Sequence, residues 1–215
     1  MADTRADILA RIRRNLKVSG DETARRETIA NRMKTHPRGP VPARGAGGLD
    51  TFRAMAQELD ATTEIITSRD AIPQAVGDYL RARNLPQNLR HGTDEYFAGL
   101  NWQGITTAQG AAIASDETSL SHAFAGVAET GTLVLLSGPE NPTTLNFLPE
   151  NHIVVLEADK IYAAYEDTFD RVRAAHNNLP RTLNFITGPS RTADVEQTIE
   201  LGAHGPRRLH IIIVQ

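Results

Sequence analysis

A carboxylate and two hydroxyl groups lie in a glycine turn near the middle of the chain. Glu129, Thr130, Gly131 and Thr132 belong to the segment GVAETGTLVLLSG, in which the turn leads directly into an apolar run. Ligands of open α/β sheets collect at strand ends, where a carboxylate can act as a nucleophile or general base. The alternative is a tight turn, in which glycine supplies an unusual backbone angle and the polar side chains satisfy nearby amides. Spacing alone favours the structural alternative.

A second polar segment, TGPSRTADVE, follows the apolar run that ends near Thr187. A helix that began here would present free N–H groups, and Ser190, Arg191 and Thr192 would then suit a carboxylate or phosphate. Gly188 belongs to this predicted ligand-binding set, as do Thr130, Gly131 and Thr132 of the glycine turn. The alternative is an ordinary helix cap, in which a hydroxyl accepts the first amides, and both can hold together. The segment lacks the G-x-G-x-x-G and G-K-[ST] spacings, so it predicts no dinucleotide or P-loop site.

Two histidines are candidates for proton transfer or ligand binding. His204 is flanked by glycines in GAHGP, and His152 lies in LPENHIVVL. A histidine in such a position can shuttle protons or bind a ligand, whereas the alternative is a loop histidine that is hydrogen-bonded locally. We expect a catalytic role for Glu129 and His204 and a ligand-binding role for His152. No metal site is predicted, because no second histidine stands at ligand spacing near either one, although His210 is six residues beyond His204.

The elements that must position these residues begin at Leu49. Predicted helices alternate with short apolar strands bounded by Gly, Pro, Asn or His, which indicates a three-layer α/β/α sandwich with a largely parallel sheet. Such a topology would bring the turn at Glu129–Thr132 and the helix start at Ser190–Asp194 to one sheet edge. The predicted helices are 51–59, 71–83, 160–176 and 192–201. The predicted strands are 64–67, one near 105, 132–136, 153–156, 183–187 and 209–214. Residues 117–128 are predicted to be a helix or turn.

Residues 1–35 are predicted to form an N-terminal helical arm. It consists of an amphipathic helix at Asp3–Lys17 and a second helix, with few apolar residues, at about Asp21–Lys34. Residues 36–48, HPRGPVPARGAGG, contain three prolines and four glycines and are expected to be a mobile linker. The domain proper is then 49–215. Residues 1–49 hold eleven Lys/Arg and five Asp/Glu, about +6, whereas the rest of the chain carries about −9. Because the basic residues alternate with acids, no nucleic-acid partner is predicted.

The composition of the 215-residue chain excludes several classes of function. Its hydrophobic fraction is 40%, and no apolar run approaches the roughly 18 residues of a membrane helix. The sequence therefore predicts a cytoplasmic protein with neither an export signal nor a transmembrane segment. There is no cysteine. This composition excludes disulfides, thiolate zinc sites, a catalytic thiol and the usual cysteine-held iron–sulfur cluster.

The chain resembles the LUD domain family and, within it, the lactate utilization protein C branch. The resemblance covers nearly the whole sequence, and an N-terminal helix like ILARIRRNL also fits the branch. Many members of the branch have an arginine between the glycine-rich turn and the LP-x-x-H segment, whereas this chain has none between Ser137 and His152. If that arginine binds a substrate carboxylate, Arg191 would replace it here. The resemblance rests on AETGTLVL at 128–135, LPENHIVVL at 148–156, ITGPSRTADVE at 186–196 and GAHGPRRLHIIIV at 202–214.

The resemblance implies a fold similar to ribose-5-phosphate isomerase, glucosamine-6-phosphate deaminase and CoA transferases. It also implies a subunit of a system that oxidises L-lactate to pyruvate, in which this chain is not the redox centre. The expected partners are lactate utilization proteins A and B, which are iron–sulfur oxidoreductase-like. The clusters are expected in those partners, and no cofactor is expected in this chain. A small anionic ligand, such as lactate or another carboxylate or phosphate, and a homo-oligomer are further expectations. The alternative is a free-standing transferase or isomerase of the CoA transferase-like or phosphosugar isomerase-like type that uses Glu129.

Overall fold

The chain divides into two units, Met1–Pro40 and Val41–Gln215, in the computed structural model. The structure describes residues 4–18, 22–41, 47–176, 178–193, 199–202 and 204–215. The first unit contains helices α1 (Thr4–Leu16) and α2 (Thr23–Thr35), where the sequence predicts them. Neither helix has a buried residue. Ile8 and Leu16, which belong to the apolar stripe of α1, are 58% and 66% exposed.

The second unit alternates strands and helices along most of its length. Its helices are α3 (Leu49–Glu58), α4 (Ile72–Ala82), α5 (Thr144–Phe147) and α6 (Tyr165–Ala175). The described strands are β1 (Thr62–Ile66), β2 (Asn88–His91), β3 (Thr106–Gln109), β4 (Thr118–His122), β5 (Ala125–Val127), β6 (Thr132–Leu136), β7 (Asn151–Glu157), β8 (Ile161–Tyr162), β9 (Leu183–Ile186), β10 (Arg191–Ala193), β11 (Ile199–Leu201) and β12 (Arg208–Val214).

Six strands form an all-parallel main sheet in the order β1-β12-β7-β4-β2-β3. The central strands β7 and β12 are in register, with Leu209 opposite His152 and Ile211 opposite Val154. Both are long apolar runs because a strand in the middle of a parallel sheet is buried on its two faces. The parallel directions place the amino ends of all six strands at one edge and their carboxyl ends at the other. These two edges carry the polar groups described below.

The two faces of the main sheet are covered differently. Helix α4 packs on one face through Ile72, Val76 and Leu80. The other face is covered by α3, through Phe52, and by a second sheet in the order β8-β5-β6-β9. Helix α6 packs against β5 on this second sheet. The predicted mixed α/β class with a largely parallel central sheet is confirmed, but one covering layer contains a sheet as well as a helix.

Two predicted helical segments are wrong. Residues 117–128 form strands β4 and β5, and their strand character is hidden in the sequence because β4 buries hydroxyl side chains. Ser119 Oγ donates to the Leu145 carbonyl of α5 at 2.6 Å, so a neighbouring element satisfies the polar group. The helix expected at 192–201 is replaced by β10 and β11, which pair antiparallel, and residues 194–198 lie outside the described part. This segment is rich in Thr, Val and Ile, and β-branched residues favour extended backbone.

Among the described residues, no helix is both long enough and apolar enough to span a membrane.

We predict that limited proteolysis of the full chain cuts first within residues 36–48, since three prolines and four glycines there cannot form a helix or a sheet ladder. Intact mass and N-terminal sequencing of the first products locate the cut. The fragment that begins near Leu49 should unfold in a single cooperative transition. A first cut inside 132–214 would show that the predicted domain boundary is wrong.

Candidate functional site

A pocket of about 260 Å³ lies at the amino edge of the main sheet and gathers four of the residues predicted from sequence. His152 contributes from the start of β7, Gly188 and Ser190 from the segment after β9, and His204 from the loop before β12. We call it the Ser190 pocket. The pocket is also lined by Asn146, Phe147, Phe185, Thr187, Pro189 and Leu209.

His152 belongs to a buried hydrogen-bond network in the wall of the Ser190 pocket. Its Nε2 is 3.0 Å from Ser121 Oγ, which donates in turn to Asn146 Oδ1 at 3.2 Å. His152 is 1% exposed, and burial lowers its pKa to about 3, so the ring is neutral at ordinary pH. Within the described structure, His152 Nδ1 and Asn146 Nδ2 have no hydrogen-bond partner. A buried donor and a buried acceptor therefore remain available beside the pocket.

Thr132 connects the glycine turn to the Ser190 pocket. Its hydroxyl lies 2.7 Å from Thr130 Oγ1, 2.9 Å from the Tyr165 hydroxyl and 2.7 Å from Thr187 Oγ1. Since Thr187 lines the pocket, the two segments singled out in the sequence meet at this contact. Thr132 itself is fully buried. Its hydroxyl thus acts on the pocket by fixing the position of Thr187.

Glu129 binds the start of α6. Its Oε1 accepts a hydrogen bond of 3.0 Å from the Tyr165 amide, the first residue of that helix. A carboxylate at a helix N-terminus compensates the free amides and the helix dipole. Glu129 is 7% exposed, and its Oε2 has no partner in the described structure. It is not among the described residues that line the Ser190 pocket, and its catalytic role stays a prediction.

Arg191 and Thr192 are placed by strand β10 rather than by a helix start. Arg191 Nη2 lies 2.5 Å from Asp60 Oδ2, so its charge already has a carboxylate partner. Arg191 is not among the described residues lining the Ser190 pocket. The side chain of Thr192 lies outside the described part. The anion-binding amides expected from a helix at Ser190–Asp194 are consequently absent from the described residues of this segment.

Sequence analysis missed a second polar cluster, at the carboxyl edge of the main sheet. His122 ends β4, Glu157 ends β7 and Asp94 follows β2, and these three strands are neighbours in the sheet. His122 Nδ1 is 3.1 Å from Asp94 Oδ2, and His122 Nε2 is 3.6 Å from Glu157 Oε2. The sequence could have indicated this cluster through a histidine at the end of one strand and an aspartate just after another. It did not, because residues 117–128 were predicted to form a helix or turn, so strand β4 was not recognised.

The His122 cluster places two carboxylates around one histidine ring. His122 Nδ1 is within hydrogen-bond distance of Asp94 Oδ2, whereas Nε2 is too far from Glu157 Oε2 for a hydrogen bond and has no hydrogen-bond partner in the described structure. Burial raises the pKa of Asp94, but hydrogen bonds from His122 and from the Tyr96 amide outweigh it, so the pKa lies below its usual value. The three side chains line a cavity of about 940 Å³, which Lys160 also lines. We call it the His122 cavity.

No group of three or more His, Cys, Asp or Glu side chains in the described part of the chain is arranged to hold a metal ion.

A sequence model of the LUD domain matches residues 52–214, more than half of the chain. The chain belongs to the LUD domain family. The match includes both polar edges of the main sheet and excludes the helices of the first unit. All of the residues that line the Ser190 pocket and the His122 cavity therefore belong to the LUD domain.

Several relatives of this LUD domain protein carry the name lactate utilization protein C. The one from Exiguobacterium sp. is 27% identical over 227 residues, which cover 98% of this chain and 95% of that protein. The one from Geobacillus sp. is 37% identical over 94 residues, 41% of this chain and 38% of that protein. An uncharacterized protein of Neisseria meningitidis serogroup B is 38% identical over 98 residues, 46% and 42% of the two chains. The chain thus spans less than half the length of the last two relatives.

A solved structure of a DUF162 family protein from Deinococcus radiodurans is similar in fold to this LUD domain. The TM-score is 0.57 at 21% sequence identity, and the match covers 77% of this chain and 95% of that chain. At this level of identity the similarity concerns the fold alone.

We predict that Gly131→Ala destabilises the LUD domain by about 2–4 kcal/mol. Gly131 has φ +63°, and a Cβ there would lie 2.4 Å from the backbone nitrogen of Ala56 in α3. Urea unfolding measures the loss. Gly99→Ala is the matched control, because Gly99 has φ +73° with open space around it, so the substitution should cost only the roughly 1–2 kcal/mol of backbone strain. Equal losses in the two variants would contradict the close packing of the turn on α3.

We also predict that His152 makes the LUD domain less stable in acid. The unfolded chain protonates this histidine near pH 6.5, whereas burial lowers the pKa to about 3 in the folded protein. Between these values only the unfolded state binds the proton, so stability falls by about 1.4 kcal/mol per pH unit as the pH decreases. Burial and the charge of Arg83 lower the pKa of His210 to about 4, which adds to the same trend.

The measurement is the free energy of unfolding in urea at about pH 6.5 and about pH 5, where His152 should contribute a loss of about 2 kcal/mol. His152→Gln should remove that part of the pH dependence. Ser121→Ala is the control, because it removes the hydrogen-bond partner but keeps the titrating ring, and its pH dependence should stay near that of the unmodified protein. An unchanged pH dependence in His152→Gln would show that the ring titrates equally in both states.

Proposed function

We propose that this LUD domain protein is a cytoplasmic subunit of an L-lactate utilization system and is not itself the redox centre. The system oxidises L-lactate to pyruvate, and the electrons pass to iron–sulfur partner proteins of the lactate utilization A and B type. The names of the relatives support the lactate role. The lack of cysteine supports the division of labour, since the usual cluster ligands are missing from this chain.

We place the small carboxylate ligand in the Ser190 pocket. The observation that carries this proposal is the buried amide of Asn146, whose Nδ2 has no partner in the described structure and which lies in the wall beside His152, Ser190 and His204. Leaving a buried donor unsatisfied costs about 1–3 kcal/mol, and a carboxylate oxygen that accepts from it would recover this cost. The Ser190 hydroxyl and the His204 ring are the remaining polar groups proposed to bind the anion.

The second candidate function is a free-standing transferase or isomerase, and the His122 cluster supports it better than Glu129 does. A Glu129 nucleophile would need access to substrate, but Glu129 is 93% buried and caps α6. The His122 cluster instead lies at the carboxyl ends of parallel strands, where ligands of open α/β sheets gather. If the isolated chain is an enzyme, His122 is the better acid–base group.

The ligand site is tested by calorimetric titration of L-lactate into the purified protein, with acetate as a ligand that lacks the hydroxyl. Asn146→Asp keeps the oxygen that accepts from Ser121 but replaces the donor with an acceptor, so L-lactate should bind at least about tenfold more weakly. Asn178→Asp makes the same change in the wall of the His122 cavity and should leave L-lactate affinity unchanged. Equal affinity of the two variants for L-lactate would show that L-lactate does not bind in the Ser190 pocket.

The role as a subunit is tested in cells that grow on L-lactate. Affinity capture of the tagged protein should recover iron–sulfur proteins, and a Glu129→Gln variant should still support growth and capture them. Under the second candidate function, growth would instead depend on His122 or Glu129 as catalytic groups, and the purified chain would turn over a substrate by itself. Loss of growth in both His122→Gln and Glu129→Gln, with no iron–sulfur protein captured, would overturn the proposed subunit role.

A further inference from the structure

Three arginines line a second pocket of about 260 Å³ at the amino edge of the main sheet. Arg83 follows the last residue of α4, and Arg207 and Arg208 stand at the start of β12. Tyr79 and Thr62 also line this space, which we call the arginine pocket. The three arginines come from two segments that are far apart in the sequence, so their convergence is a property of the fold.

Each of the three arginines is held by a specific contact. The Arg83 guanidinium lies over the Tyr79 ring, 5.6 Å from its centroid. Arg208 Nη1 donates to Asn151 Oδ1 at 3.0 Å. The stem of Arg207 packs on Gly202, where φ is +86° and a Cβ would lie 2.0 Å from Arg207 Cγ. Glycine at position 202 therefore leaves the space that the Arg207 side chain occupies.

The positive charge of the arginine pocket is not neutralised within the described structure. One carboxylate, Asp60, is among its described lining residues, and it is paired with Arg191 at 2.5 Å. In the described part of the chain, Arg83, Arg207 and Arg208 form no ion pair. The nearby His210 adds no further positive charge near neutral pH, since burial and the charge of Arg83 lower its pKa to about 4.

We propose that the arginine pocket binds a phosphate group. A monovalent carboxylate is satisfied by one guanidinium fork, whereas a phosphate dianion offers more oxygens and more charge and can engage two or three. Tyr79 and Thr62 supply hydroxyl groups beside the arginines. Pro189 and Leu209 line both this pocket and the Ser190 pocket, so the organic part of a phosphate ester would lie in the Ser190 pocket. The proposal goes beyond the role in lactate utilization and stands without it.

The organic part is expected to be apolar where it meets the Ser190 pocket. Phe147 and Phe185, which are 44% and 37% exposed, line that pocket together with Leu209. An aromatic or aliphatic group would bury apolar area against them, and each square ångström contributes about 25 cal/mol. Phenyl phosphate is therefore a probe that reports on both pockets, whereas inorganic phosphate reports on the arginine pocket alone.

The experiment is calorimetric titration of inorganic phosphate, phenyl phosphate and L-lactate into the full-length protein at constant ionic strength. We expect saturable phosphate binding that Arg83→Gln and Arg207→Gln each weaken by about tenfold, the loss of one charge-assisted hydrogen bond. Arg173→Gln is the control, because Arg173 lies on α6 and is paired with Asp170 at 3.2 Å. Urea unfolding of each variant checks that the fold is retained.

Distinct outcomes separate the possible ligands. Tighter binding of phenyl phosphate than of inorganic phosphate identifies an organic phosphate, and equal binding identifies free phosphate as the ligand; both support the site. Binding that is absent, or that falls equally in Arg173→Gln, overturns the phosphate site. L-lactate binding that survives in Arg83→Gln and Arg207→Gln leaves the proposed lactate role intact whichever result is obtained.

Discussion

Parallel pairing of β7 with β12 on one side and β4 on the other is the constraint on which both polar edges of the main sheet depend. Because the strands run in one direction, His152 lies near the amino end of β7 at one edge of the sheet, and Glu157 lies at its carboxyl end at the other edge. Five residues of extended chain separate their backbones by about 17 Å. The Ser190 pocket and the His122 cavity therefore lie at opposite edges of the main sheet.

The same pairing explains why polar side chains occur inside the core. Ser121 and His152 lie on one face of neighbouring strands, under the second sheet, and Asn146 of α5 joins them. Buried polar groups are tolerated when each finds a partner, and an incomplete network is costly. Here the network lacks partners at His152 Nδ1 and Asn146 Nδ2 in the described structure. The Ser190 pocket is next to this incomplete network, which argues for a ligand more strongly than the shape of the pocket does.

The parts of the fold that could be predicted are those in which local pattern and tertiary environment agree. Residues 132–136, 153–156 and 209–214 are apolar runs buried on both faces, and the structure has strands there. Strand β4 could not be predicted, since TSLSH buries the hydroxyls of Ser119 and Ser121, whose partners are distant in sequence. Four residues of the Ser190 pocket could be predicted, because each lies in a polar segment that stands out in the sequence. The His122 cluster could not be predicted in this way. Its members come together only through the strand order of the sheet.

The arginine pocket shows how an uncompensated charge cluster can persist in a folded domain. Helix α4 ends at Ala82, so the partial negative charge of its carboxyl terminus is next to Arg83. This dipole offsets part of the repulsion among the three guanidiniums without occupying their hydrogen-bond donors. A carboxylate in the same place would also lower the repulsion, but it would compete with any anion for those donors. The helix end, with Asp60 already paired with Arg191, therefore occupies none of these donors, of which one, on Arg208, is bonded to Asn151.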